Sequence, residues 1–176
     1  MVRDATVRDA DCLPTLVGQH AAFEQAECPL GLATLIGILE NPKPPVRLIV
    51  APDEANKLAG YAALAFDYSF WRGEVYAHFD CLFVAGCLRG QGYGRQLLLH
   101  AKAKSLAAGV RRLEWQTTQW NQDAIRFYLR EGALATAKTR FNLAIHAAEQ
   151  AQPDSKIQPP ESAAGRAPVV PVLPAG

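Results

Sequence analysis

The segment from residue 75 to residue 109 constrains the fold most, because it joins an apolar run, a glycine-rich loop and an amphipathic helical pattern. The run VYAHFDCLFVAG predicts a buried strand over residues 75–86. Three glycines then alternate between positions 90 and 94, and a helix is predicted from about residue 92 to residue 108, closed by Gly109. This order predicts an anion site, because unpaired N–H groups and the helix dipole meet at the glycines.

Two arginines flank the glycines and favour phosphate as the anion. Arg89 precedes the first glycine and Arg95 follows the last, and each would add a charge-assisted hydrogen bond. A P-loop is excluded, because Gly94 is followed by Arg95-Gln96 where that motif needs Lys-Ser or Lys-Thr. A dinucleotide fingerprint fits poorly, because its third glycine would fall at position 95 or 97, which hold arginine and leucine.

The remaining elements follow from hydrophobic periodicity and from turn residues. Asp9 and Asp11 are N-cap candidates for the first helix, and Asn121 is the candidate for the last one. The predicted helices are residues 12–27, 29–40 and 120–132, and the additional predicted strands are residues 46–52, 58–71, 110–118 and 138–145.

The composition of the chain changes near residue 150. Residues 153–176 hold half of the 12 prolines, mixed with alanine, serine and glycine, and no helical or strand period continues there. The sequence therefore predicts one ordered domain over residues 1–148 and a Pro/Ala-rich disordered tail over residues 149–176. The stretch APVVPVLP is also a possible polyproline ligand, although a solvated tail is the preferred interpretation.

Charge and cysteine usage narrow the partners. The net charge of +1 and the pI near 7.7 lack the basic excess typical of nucleic-acid or membrane-surface binding, so a small molecule is expected. The N-terminus is charged where a signal peptide is apolar, and no apolar run reaches membrane-span length, so a cytoplasmic location is expected. The four cysteines form no CxxC pair and have no histidine at ligand spacing, so no metal is expected.

Residues 89–94, RGQGYG, match the pattern R-x-x-G-x-G and resemble the pyrophosphate loop of the GCN5-related N-acetyltransferase (GNAT) family. EWQTTQWNQDAIRFYLREGA, residues 114–133, resembles the second cofactor motif of that family. DYSFWRG, followed by a strand ending in LFV, is similar to the spermidine/spermine and thialysine acetyltransferases. The resemblance covers about residues 58–134.

The resemblance implies an α+β (mixed α/β) fold. Its central, mostly antiparallel sheet would be splayed at the third predicted strand, with helices on its faces, and acetyl-CoA would lie in the opening. Members of this branch usually pair as dimers whose interface helps to form the amine site, so a homodimer is expected.

The implied cofactor contacts fall in three segments. The loop would hold the pyrophosphate, the end of the preceding strand would line pantetheine and the acetyl carbonyl, and a backbone N–H there would stabilise the oxyanion. The residues concerned are Arg89, Gly90, Gln91, Gly92, Tyr93, Gly94 and Arg95 for the pyrophosphate, Leu82, Phe83 and Val84 for pantetheine, and Asn121 and Ala124 from the second motif.

Two residues are expected to move protons. Tyr128 lies where the family places the group that protonates the departing thiolate, and a phenol with a pKa of about 10 is a competent donor; packing in the core is its alternative role. Asp80 is expected to accept the amine proton, directly or through water, and its alternative role is that of a strand aspartate satisfied by a neighbour. Cys81 replaces the second acid of the polyamine branch, and His78 stays open as another acceptor.

The sequence thus predicts an acetyl-CoA-dependent N-acetyltransferase. Its substrate would be a small aliphatic amine, such as a diamine, a polyamine or a lysine-like amino acid, which attacks directly in a ternary complex. An aminoglycoside, another amine antibiotic or a protein N-terminus are the alternatives within the same class. A catalytically silent CoA-binding interaction module is the alternative of another class.

Overall fold

The computed structural model describes residues 1–145. Within these residues the chain forms five strands and four α-helices. The strands are β1 (Arg3–Asp4), β2 (Val46–Pro52), β3 (Leu58–Ser69), β4 (Glu74–Val84) and β5 (Leu113–Glu114), and the helices are α1 (Leu13–Phe23), α2 (Leu32–Glu40), α3 (Tyr93–Ala107) and α4 (Gln122–Arg130).

The strands form one sheet in the order β1-β2-β3-β4-β5. All neighbours are antiparallel except β4 and β5, which are parallel. Side chains alternate between the two faces of the sheet, so one cluster joins Leu64 and Phe79 to Leu97 of α3. The opposite cluster joins Val50 and Tyr61 to the helices α1 and α2. The predicted α+β class with a mostly antiparallel sheet between helices is confirmed.

The sheet opens beside β4. The strand β5 has only two residues, and they pair with Ala77 and His78. From Phe79 to Val84, no strand within residues 1–145 pairs with β4 on that side. The predicted strand 110–118 was therefore too long, because beyond Glu114 the chain leaves β4 and its next residue, Trp115, packs edge-on against Phe79 instead, with ring centres 6.4 Å apart.

The first helix begins and ends differently from the prediction. Cys12 stands at its N-cap without a side-chain bond. The carboxylate of Asp9, a predicted cap, instead accepts hydrogen bonds from both guanidinium nitrogens of Arg3 and from the N–H of Thr6. The helix stops at Phe23, because Gln25 adopts a left-handed backbone with φ 55° and closes the end as glycine usually does.

The predicted strand over residues 138–145 was wrong. Phe141, Leu143 and Ile145 alternate as strand residues do, but their side chains are exposed and no strand forms there. An alternating pattern becomes a strand only where a neighbouring strand accepts its hydrogen bonds. The elements of the sheet belong to one compact unit, Met1–Ala135. The predicted tail, residues 149–176, lies outside the described residues, and its boundary stays a prediction.

Candidate functional site

The glycine loop connects the end of β4 to the start of α3. A single 3-10 turn, Gly86–Leu88, follows the strand, and Gly90 and Gly92 then adopt left-handed backbones with φ 79° and 87°. Glycine is required at both positions, because other side chains strain this conformation. The first helical hydrogen bond runs from the N–H of Gln96 to the carbonyl of Gly92. The N–H groups that precede it are those that can bind an anion.

Both arginines predicted to bind phosphate already contact protein groups. Arg89 donates its Nε–H to the carbonyl of Val84 at 3.1 Å, and its guanidinium lies 4.5 Å from the ring centre of Phe23. Arg95 donates to the carboxylate of Glu131 at 3.2 Å. Arg89 therefore ties the end of β4 to α1, and any anion at the loop would share these arginines with their present partners.

The fourth helix lies against the same loop. Asn121 caps it as predicted, because its Oδ1 accepts the N–H of Ala124 at 3.2 Å. A Cβ atom added at Gly94 would lie 3.6 Å from the ring of Phe127 and 3.9 Å from Leu82. Gly94 has no positive φ, so it differs from the other two glycines. A Cβ atom would fit there in ordinary van der Waals contact, so the contact of Gly94 with Phe127 shows that α3 and α4 pack together beside the open edge of β4.

Tyr128 lies at the opening of the sheet. Its ring centre is 4.9 Å from that of Trp115 and 5.1 Å from that of Phe127. Burial raises the pKa of Tyr128 to about 12, and the negative charge of Glu24 acts in the same direction. The phenol therefore stays protonated across the physiological range and can act as a proton donor.

A β-bulge places Asp80, the predicted proton acceptor, and its neighbour Cys81 on one face of the sheet. Ala63 pairs with Cys81 and Leu64 pairs with Phe79, so Asp80 is an extra residue in β4. Successive side chains of a regular strand point to opposite faces, whereas a bulge interrupts that alternation. As a result, Asp80 and Cys81 both line the space below α1 and α2.

Asp80 and Cys81 have opposite environments. The side chain of Asp80 is 60% exposed, and its Oδ1 lies 3.9 Å from Nε2 of His78. The thiol of Cys81 donates to Oδ2 of Asp80 at 3.5 Å. Burial raises the pKa of Cys81 to about 12, and the neighbouring Asp80 charge adds to this. Cys81 is therefore a neutral thiol, and Asp80 supplies the charge.

The sequence analysis missed a histidine and a tyrosine beside this pair. Nδ1 of His20 lies 2.9 Å from the hydroxyl of Tyr61, and the imidazole stacks on Phe83 with ring centres 5.0 Å apart. Burial lowers the pKa of His20 and raises the pKa of Tyr61, where Cys81 also contributes. The helical periodicity indicates the position of His20, because this residue lies seven residues after Leu13 and therefore on the face of α1 that packs against the sheet.

The structure thus brings together Tyr128, Asp80, Cys81 and the loop around the open edge of β4. The arrangement offers a protonated phenol, an exposed carboxylate and a helix N-terminus. Within residues 1–145, no group of three or more histidine, cysteine or acidic side chains is placed to hold a metal ion. No helix in that range is both long and apolar enough to cross a membrane.

Comparisons with known proteins agree on one family. The model of the acetyltransferase (GNAT) family matches residues 13–133, more than half of the chain. An L-ornithine N5-acetyltransferase of Arabidopsis thaliana is 30% identical over 84 residues, which are 47% of this chain and 37% of that protein. A thialysine N-epsilon-acetyltransferase of Caenorhabditis elegans is 33% identical over 70 residues, 40% of this chain and 43% of that protein. The matches therefore span less than half the length of either curated relative.

Solved structures share the fold at low sequence identity. An aminoglycoside acetyltransferase from an uncultured soil metagenomic sample, solved in complex with trehalose, superposes with a TM-score of 0.71 at 16% identity. The superposition covers 83% of this chain and 96% of that one. At this identity, the likeness concerns the arrangement of strands and helices.

Proposed function

Because the chain belongs to the acetyltransferase (GNAT) family, we propose that it is an acetyl-CoA-dependent N-acetyltransferase acting on the primary amine of a small aliphatic amine. The observation that carries the proposal is the placement of a protonated phenol and an exposed carboxylate beside the unpaired edge of β4. Diamines, polyamines and lysine-like amino acids are the amines that the curated relatives and the sequence resemblance support.

The binding of acetyl-CoA fits two features of the described site. The left-handed glycines at positions 90 and 92 leave room at the N–H groups that precede α3, which suits a pyrophosphate. The remaining loop residues, Arg89, Gln91, Tyr93, Gly94 and Arg95, would surround it. The backbone of Leu82, Phe83 and Val84 lies where none of the described strands pairs with β4 on one side, which suits the amide groups of pantetheine. Asn121 and Ala124 would meet the cofactor from the start of α4.

Acetyl-CoA supplies the acetyl group as a thioester, so the chain itself must manage the protons. An amine attacks only after it has lost its ammonium proton, and Asp80 would accept that proton through water, with His78 as the neighbouring alternative. The phenol of Tyr128 would donate a proton to the leaving sulfur. Direct attack is favoured over a covalent enzyme intermediate, because the pKa of Cys81, about 12, keeps this thiol protonated and weakly nucleophilic.

The proposed assembly follows from the same resemblance, and the proposed location rests on the charge pattern and the short apolar runs of the sequence. We propose a cytoplasmic homodimer with a small-molecule amine as its partner. An aminoglycoside or a protein N-terminus is the second candidate acceptor within the same reaction class.

Release of CoA thiol from acetyl-CoA on addition of an amine panel tests the proposal. The panel should contain diamines, ornithine, lysine, spermidine, aminoglycosides and a peptide with a free N-terminus. We expect turnover that depends on the amine and yields a product heavier by one acetyl group. Measurable binding of CoA without turnover of any amine would instead favour a silent CoA-binding module.

A further inference from the structure

A cavity of about 290 Å³ opens beside Asp80, between the α1–α2 side of the molecule and the sheet. Its walls are mainly aliphatic. They include Val17 of α1, Ile38 of α2, Leu48 of β2 and Ala63 of β3. The alanines of β3 leave space that larger strand residues would fill. The cavity is therefore shaped to take an apolar group of a few carbon atoms.

One carboxylate lies among the described residues of the cavity wall. Among the lining residues that the structure describes, Asp80 is the carboxylate, and His78 and the neutral groups of Cys81 and Tyr61 lie beside it. The carboxylate is mostly exposed, so it can meet an incoming ammonium group at the mouth of the cavity. An ammonium group farther inside would meet only aliphatic walls and would lose its hydration without a counter-ion.

We infer that the acceptor is a primary monoamine with an uncharged, apolar tail. Its ammonium group would lie at Asp80, next to the open edge of β4, and its tail would occupy the cavity. The inference rests on the proposed function and narrows its substrate to a single positive charge. The bulge at Asp80 carries the inference, because it places the acid at the mouth of an aliphatic cavity while its neighbour Cys81 stays neutral.

A longer apolar tail should raise kcat/KM, whereas a second positive charge at the end of the tail should lower it. Each buried methylene contributes enough transfer free energy to raise kcat/KM by about fourfold. A terminal ammonium in place of a terminal methyl removes this gain and adds a desolvation cost. A monoamine should therefore exceed the α,ω-diamine of the same length by about tenfold or more.

The test compares two matched series with the full chain and acetyl-CoA. Propyl-, butyl-, pentyl- and hexylamine form one series, and the diamines of the same lengths form the other, with ornithine added. We expect kcat/KM to rise along the monoamines and to stay lower for each diamine. Diamines or ornithine acetylated as well as the monoamines would overturn this inference and leave the proposed function standing. No acetylation of any amine would overturn both.

A substitution in the cavity wall provides a second test of the monoamine preference. Ile38→Glu places a carboxylate among the aliphatic residues and should shift the preference toward the diamines by at least tenfold. Ile36→Glu is the matched control, since it lies on the same helix and is not among the residues of the cavity wall; it should keep the wild-type preference. An equal shift in both variants would overturn the inference, and the wild-type series decides the question where Ile38→Glu fails to fold.

Discussion

Removing the hydroxyl of Tyr128 isolates its role as a proton donor. Tyr128→Phe keeps the ring that packs on Trp115, so the affinity for CoA should stay the same while kcat falls by about 100-fold, the lower range for loss of a general acid. Steady-state kinetics and calorimetric titration with CoA measure the two quantities. Tyr76→Phe is the control, because its hydroxyl bonds to Asp67 on the exposed β3–β4 hairpin. An unchanged kcat in Tyr128→Phe would remove this residue from the mechanism.

His20 should make the fold sensitive to mild acid. Burial holds the pKa of His20 below the value of 6.5 that it takes in the unfolded chain. As the pH falls below 6.5, the unfolded chain binds a proton before the folded one does, so the free energy of unfolding decreases until the folded pKa is passed. At higher pH both states are neutral and the effect is absent.

Thermal unfolding between pH 5 and pH 8 measures this contribution. His20→Gln should flatten the decline of Tm on the acidic side, while Gln19→Ala, an exposed neighbour on α1, should keep it. A decline that is equally steep in His20→Gln would show that other groups cause the acid sensitivity.

Single residues of the site were predictable where a local motif specifies them. The roles of the glycines at 90 and 92 and of the cap at Asn121 depend only on residues a few positions away in the chain, so the sequence is enough to predict these roles. The pairing of His20 with Tyr61 depends on how α1 crosses β3, 41 residues later in the chain. No local pattern reports such a crossing, so the contact emerged only from the structure.

At the scale of elements, the close approach of β3 and β4 should depend on Gly60. A Cβ atom added there would lie 2.5 Å from the carbonyl oxygen of Phe83, which is closer than atoms can pack. Gly60→Ala should therefore cost about 1–3 kcal/mol of unfolding free energy and should raise KM for acetyl-CoA, because Phe83 must move. Denaturant unfolding and initial rates measure these changes.

Gly37→Ala is the matched control, since a Cβ atom at Gly37 would meet nothing within 4 Å. Alanine in the middle of α2 should leave the activity intact and raise stability by up to about 1 kcal/mol. A Gly60→Ala variant with wild-type stability would show that the strands separate more easily than the packing indicates.

Element boundaries were predictable where turn residues mark them. The prolines around residue 44 delimit β2, which was predicted over the residues it occupies, 46–52. The end of α1 was missed because Gln25, not glycine, takes the left-handed backbone. The length of β5 was overestimated because the hydrophobic residues of a segment indicate only that it is buried. Whether the segment is a strand depends on how far it stays beside β4.

At the scale of the whole molecule, residues 149–176 should be dispensable for catalysis. Every residue assigned to the site precedes Glu131, and the compact unit that contains them is Met1–Ala135. A chain ending at residue 148 should keep the Tm of the full chain. Its kcat/KM should stay within a factor of about two, which corresponds to a difference of less than 0.5 kcal/mol in activation free energy. A chain ending at residue 120 is the control and should be inactive, because it lacks Phe127 and Tyr128. Loss of activity in the longer chain would place the tail in the mechanism.

Because of the bulge in β4, the side chain at position 80 can change without a change in strand pairing. Asp80 has no partner on β3, so a different side chain there disturbs no cross-strand pair. A change of acceptor preference can therefore arise by a point substitution at position 80, with the sheet intact. A one-residue deletion at the same place would remove the carboxylate and the bulge, while Phe79 and Cys81 would keep their present partners, Leu64 and Ala63. Position 80 of this chain can thus change its chemistry by replacement or by loss of the residue, without a change in the pairing of β3 and β4.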